Sequence, residues 1–164
     1  MLIAVLSDIH DNIWNLEKVL PRLEEEGVEM VLFCGDFCAP FTLKMLSQFP
    51  GDVHCVLGNN DGDALLLSQV AQEAGNVTLY SALAELPLGG CQVAVTHYPH
   101  VGRALACSGL YDVVFSGHTH EQHVERVGDT LWVNPGEVMG RFGHPTYAIY
   151  DTETNQVRID NIPA

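Results

Sequence analysis

The chain predicts an α/β fold on a largely parallel sheet, and three observations carry that expectation. Five short apolar runs, Met1–Leu6, Met30–Cys34, Val53–Leu57, Cys91–Thr96 and Asp112–Ser116, read as buried strands. Helical stripes or helix-length segments lie between most of them, which implies right-handed crossovers. Just past each run stands a residue able to bind metal, where parallel sheets collect their ligands. These residues are Asp8 and His10, Asp36, Asn59, His97, and His118 with His120.

Taken in order, Met1–Leu6 is the first strand. It runs into Asp8 without a basic flank or a small-residue cleavage site, so it reads as a strand rather than a leader, and a cytoplasmic location is expected. Trp14, Leu16, Val19, Leu20 and Leu23 then mark a helix ending near Gly27. A second helix is predicted over Phe41 to Phe49, stopped by Pro50-Gly51, a third over Asp63 to Glu73, and a fourth over Val101 to Cys107. Gln122–Val127, Thr130–Val133, Tyr147–Tyr150 and Gln156–Ile162 follow as strands with no helix between them. They are expected to pair antiparallel as a second sheet packed on the first. No repeat, low-complexity segment or linker interrupts residues 1–164, so a single domain is expected.

Composition narrows the function. Seven basic residues against 21 acidic ones leave a formal charge of −14, which disfavours duplex nucleic acid as a partner. No segment is long and apolar enough to span a membrane. The five cysteines follow no disulfide framework; Cys55, Cys91 and Cys107 are expected to pack, and Cys34 and Cys38 lack the second pair a structural zinc needs.

The seven candidate ligands mix carboxylate, amide and imidazole, a set suited to a pair of divalent transition metals rather than calcium. Asp8 and His10 lie two apart, as do His118 and His120; in extended backbone each pair points one way. Gly35, Gly58 and Gly117 begin three of the turns. Two adjacent metals imply hydrolysis of a phosphate ester or an amide.

With these motifs in order, Asp8-x-His10, Gly35-Asp36, Gly58-Asn59-Asn60-Asp61, Thr96-His97 and Gly117-His118-Thr119-His120, the chain resembles the calcineurin-like metallophosphoesterases. Asn134-Pro135-Gly136 is similar to a motif of their small prokaryotic phosphodiesterase branch. The resemblance extends to about Asp151 and implies a four-layer α-β-β-α sandwich of two mixed sheets flanked by helices. It implies that Asp8, His10 and His120 hold one metal, that Asn59, His97 and His118 hold a second, and that Asp36 bridges them. Manganese is the expected ion, with iron, nickel or zinc as alternatives. The implied reaction is hydrolysis of a small phosphodiester by a hydroxide bridging the metals.

Asn60 stands where many relatives carry a histidine thought to protonate the leaving group; an amide cannot do so, although His100 could take that role. Asn60 and Asp61 are nonetheless the candidate catalytic residues, Asp61 as an orienting group or a turn cap. Tyr98 either lines the site or packs, Arg141 either clamps a phosphate oxygen or lies on the surface, and Glu137 is not expected to be catalytic. His54, His123 and His144 have no motif around them and are read as non-ligands. The alternatives to a phosphodiesterase are a phosphomonoesterase of the same fold and an interaction scaffold resembling a retromer subunit. Homo-oligomerisation through an apolar edge of the C-terminal strands is a further expectation.

Overall fold

Leu2–Leu6 is apolar almost throughout because both of its faces are covered. In the computed structural model, which describes residues 1–163, Ala4 and Leu6 face helices while Ile3 and Val5 face a second sheet. The elements run β1 (Leu2–Leu6), α1 (Ile13–Glu25), β2 (Met30–Phe33), α2 (Pro40–Leu46), β3 (Asp52–Val56), α3 (Ala64–Ala74), β4 (Val77–Tyr80) and β5 (Leu83–Leu88). They continue with β6 (Cys91–Thr96), α4 (Pro99–Ser108), β7 (Val113–Phe115), β8 (Gln122–Val127), β9 (Thr130–Pro135), β10 (Thr146–Asp151) and β11 (Gln156–Asn161). All four expected helices are present. Asn12 caps α1 by accepting from the Asn15 N–H, and left-handed Gly75 and Gly109 end α3 and α4.

One sheet has the order β11-β10-β1-β2-β3-β4, and the other β5-β6-β7-β9-β8. The first is parallel from β1 to β4 and antiparallel at its β10–β11 margin, and the second has a parallel centre with an antiparallel pair at each edge. Leu16, Val19, Leu23, Leu43 and Leu67 pack helices on the first sheet. Ile3, Val5, Leu32 and Val56 meet Val93, Phe115 and Val133 between the sheets. Ala106 seats α4 against Ala94 and Val114 on the outer face of the second sheet. The result is a four-layer α-β-β-α sandwich. Burying each such large aliphatic side chain contributes roughly 1.5–3 kcal/mol. No described helix is long and apolar enough to cross a membrane.

Two sequence expectations are corrected. The five strands that precede the candidate ligands do not share one sheet: β1, β2 and β3 belong to the first, β6 and β7 to the second. The last four strands also divide. β8 and β9 complete the second sheet, whereas β10 inserts beside β1 and carries β11 with it. The first five residues of β10 are buried, which suits an interior position covered on both faces. β4 and β5 are two strands that the apolar runs do not predict; both lie at sheet edges, and β5 contains Pro87, tolerated there because an edge leaves some N–H groups unpaired.

Backbone bonds stitch the strand-end loops together, first within each sheet and then, through the segment after β9, between the two. Asp8 N–H donates to Gly35 O at 3.1 Å, His10 N–H to Asp36 O at 3.0 Å, and Gly117 N–H to His97 O at 3.0 Å. Val138 and Met139 N–H donate to Ser7 O and Asp8 O, both at 3.0 Å.

Candidate metal centre

Five of the seven candidate ligands sit at left-handed backbone: Asp8 (φ 53°), His10 (φ 44°), Asp36 (φ 64°), His118 (φ 72°) and His120 (φ 64°). Such conformations are costly for residues with a Cβ and cluster where function over-determines the backbone. The expectation that Asp8/His10 and His118/His120 converge through extended backbone is therefore corrected. Each pair turns at both of its members, and the two histidines of the second pair part company.

One group contains Asp8, His10 and His120. Asp8 Oδ1 lies 3.8 Å from His10 Nε2 and 3.5 Å from His120 Nε2. The second contains Asp36, His97 and His118, with His97 Nε2 at 3.2 Å from His118 Nδ1 and 3.0 Å from Asn59 Oδ1. Asp36 Oδ2 stands between the groups, 3.5 Å from His10 Nε2 and 3.4 Å from His97 Nε2.

These donors suit divalent cations. Asp8 Oδ1 and His10 Nε2 are buried and make no hydrogen bond among the described residues, which is rare for buried polar atoms unless something else satisfies them. The opposite ring nitrogens are engaged. His97 Nδ1 lies 2.8 Å from Cys34 O, so it carries the proton and leaves Nε2 free to face the site. His120 Nδ1 lies 2.7 Å from Glu137 Oε2, and His10 Nδ1 lies 3.4 Å from Cys38 Sγ. The Asp8 carboxylate raises the pKa of His10 against the opposing effect of burial. Burial pushes Asp36 up, but its bonds to His97 and Asn60 outweigh this and hold the carboxyl well below the usual range. Burial lowers the pKa of His97, but the Asp36 carboxylate, with Asp8 and Cys34 O, outweighs it and raises the ring above its ordinary value.

Asn60 places both its backbone N–H (2.8 Å, to Oδ1) and its side-chain amide (2.7 Å, to Oδ2) on the Asp36 carboxylate. Asp61 accepts from the backbone N–H of Asp36 (2.9 Å), Cys38 (2.8 Å) and Gly58 (2.7 Å), bracing the turns after β2 and β3. Burial raises its pKa, and those three donors oppose the shift. Asn134 donates to Gly117 O and Thr119 Oγ1, so the Asn134-Pro135-Gly136 turn shapes the loop bearing His118 and His120. Tyr98 packs between His97, His118 and His100 at centroid distances of 5.2, 5.7 and 5.8 Å. Cys55 and Cys91 are buried as expected, but Cys107 is exposed on α4. His54 pairs with Tyr80, and His123 is exposed beside Glu125.

Glu137 is the contact that sequence reasoning missed. It is 1% exposed, and besides His120 it accepts from the backbone N–H of Phe142 (2.6 Å) and Gly143 (3.0 Å) through Oε1. A carboxylate between a glycine turn and Val138, in a segment that is otherwise buried, was the available signal.

A family model for the calcineurin-like phosphoesterase superfamily domain matches residues 1–155. The chain belongs to that superfamily. This phosphoesterase is 35% identical to a phosphodiesterase of Methanocaldococcus jannaschii over 161 residues, covering 96% of this chain and 97% of the relative. It superposes on the solved structure of an archaeal phosphodiesterase with a TM-score of 0.92 at 34% identity, covering 98% and 99% of the two chains. Its fold is also similar to a zinc-complexed Vps29 from Entamoeba histolytica, with a TM-score of 0.70 at 18% identity and coverage of 99% and 98%. That last likeness concerns the fold alone. The phosphoesterase is a phosphoric ester hydrolase.

Proposed function

We propose that this single-domain chain is a metal-dependent phosphodiesterase acting on small phosphodiesters. The observation that carries the reading is the convergence of two donor groups on Asp36 Oδ2, with orphaned buried donors facing them. Asp8, His10 and His120 would hold one divalent ion and Asn59, His97 and His118 the other, with Asp36 shared. Such ions supply Lewis acidity to phosphoryl oxygens and lower the pKa of a bound water toward neutrality.

The chain's own residues set the geometry. Cys34 O and Glu137 fix the ring orientations of His97 and His120. Asn60 holds the Asp36 carboxylate in place, and Asp61 acts as a positioning residue for the turns that carry Asp36 and Asn59. Ser7 Oγ and His118 N–H both donate to Asp8 Oδ2, which turns Oδ1 toward the two imidazoles.

Manganese is the proposed ion, ahead of iron, nickel and zinc. Five free cysteines fit a reducing compartment, in keeping with a cytoplasmic enzyme. Bis(p-nitrophenyl) phosphate is the test substrate. Turnover that requires added manganese and stops with chelator supports the reading, whereas turnover indifferent to chelator overturns it. Matched mono- and diesters separate this reading from a phosphomonoesterase: kcat/KM should favour the diester.

A further inference from the structure

Beside His120 opens a cleft of about 570 Å³, walled by Phe142, Gly143 and His144 on one side and by Thr119, Gln122 and Asn161 among others on the rest. A volume of this size holds a small ligand. Phe142 is 72% exposed, an unusual position for a large aromatic next to a polar centre. Its ring meets His120 edge to face, with centroids 5.1 Å apart and planes at 86°. Arg141 stands 5.7 Å from the same ring.

This wall is built into the site. Buried Glu137 holds His120 with one carboxylate oxygen and the backbone of Phe142 and Gly143 with the other. The carboxylate that aims a candidate metal ligand therefore also holds the backbone from which the Phe142 ring projects. The remaining lining offers amide, hydroxyl and imidazole groups and the Glu121 carboxylate at the rim of a single aromatic face. One flat apolar face edged by hydrogen-bonding groups matches a planar aromatic ring with polar substituents, as carried by aryl or nucleoside phosphates.

Resting on the phosphodiesterase reading, we infer that this cleft is a subsite for an aromatic group of the phosphodiester, with Phe142 as its stacking face. Arg141, on the same loop, supplies a positive charge on the approach of the anionic ester. Glu137 is the positioning residue that keeps the loop and His120 in register.

The test measures binding to the manganese-loaded protein by calorimetry, using phenyl phosphate against cyclohexyl phosphate and AMP against ribose 5-phosphate. Each pair differs only in the aromatic part. The expected result is tighter binding of the aromatic member by about tenfold, in line with base–aromatic stacking. Phe142→Ala should remove that preference, and Phe142→Trp should keep it. A preference confined to phenyl phosphate assigns the subsite to a simple aryl group, and one shared by AMP extends it to nucleobases. Equal binding within both pairs, or a preference that survives Phe142→Ala, overturns the inference. Hydrolysis of bis(p-nitrophenyl) phosphate run in parallel separates the two failures: turnover without aromatic preference sinks only the subsite.

Discussion

Asp36 carries the heaviest demand of any side chain in the molecule. It sits at left-handed backbone, is nearly fully buried, and has one oxygen within 3.5 Å of imidazoles from both donor groups. Asp36→Asn removes the shared charge while leaving the volume unchanged. Titration calorimetry should show loss of two-ion binding, and turnover should collapse with it; retention of both would exclude a bridging role. His54→Ala, which removes a hydrogen bond to and stacking on Tyr80, should leave the ion stoichiometry at the wild-type value. Glu137 makes a different prediction. Replacing a carboxylate that backs a metal-binding histidine typically weakens metal affinity about 10–100-fold. Glu137→Gln should show that loss in a manganese titration, and Glu137→Asp should recover part of it; unchanged affinity in both would reduce Glu137 to a loop anchor. Asn60 is committed to Asp36 and has no titratable proton. Without general-acid help, typically worth about 10²–10⁴-fold, rates across a series of aryl and alkyl diesters should fall steeply as the leaving-group pKa rises. A flat series would show that another acid acts, with His100, one ring beyond Tyr98, the first candidate.

At the scale of the element, the turns beyond the strands explain why three of them open with glycine. A Cβ on Gly117 would stand 1.9 Å from Ser7 Oγ and 2.8 Å from Asp8 Oδ2, and one on Gly58 would stand 2.2 Å from Asp36 Oδ1. Both turns approach a carboxylate too closely to admit a methyl group. Gly117→Ala should push the loop off Asp8, breaking the bond from His118 N–H at 2.9 Å, and cost about 1–3 kcal/mol through overpacking. Urea unfolding of the metal-free protein checks this, with Gly62→Ala as a control, since nothing lies within 4 Å of its added Cβ. Equal midpoints for the two variants would contradict the close-packed turn. The motif glycines were legible in the sequence; the atoms they accommodate were not, because those atoms belong to other strands.

Over the whole molecule, a formal charge of −14 meets a centre in which Asp8 and Asp36 are buried side by side with imidazoles. Metal binding relieves part of that concentration and couples directly to folding. Manganese at about 100 times its Kd should stabilise the native state by roughly 2.7 kcal/mol, a rise in Tm of roughly 5–10 °C for a chain of this size. Chelator should reverse it. A Tm indifferent to manganese would mean that the donors do not act as a metal site. The same centre joins the two sheets, since Asp8, His10 and Asp36 follow strands of one and His97, His118 and His120 follow strands of the other.

What the amino-acid sequence determined by itself is local. Apolar runs bounded by glycine or a metal-binding side chain marked five strands, and stripes and stop signals marked four helices. The spacing of Asp8, His10, Asp36, Asn59, His97, His118 and His120 marked the candidate ligands. Only the tertiary structure decided that β10 lies beside β1 and that the strands preceding the candidate ligands divide between two sheets. It alone brought Glu137 to His120 and to the Phe142 loop. Strand periodicity tells which residues share a face but not which strand lies alongside, because a pairing partner is chosen by burial on both faces of a sheet, summed over residues far apart in the chain. The left-handed turns follow the same logic: their cost is offset by contacts between loops far apart in the chain, contacts that no stretch of sequence contains alone.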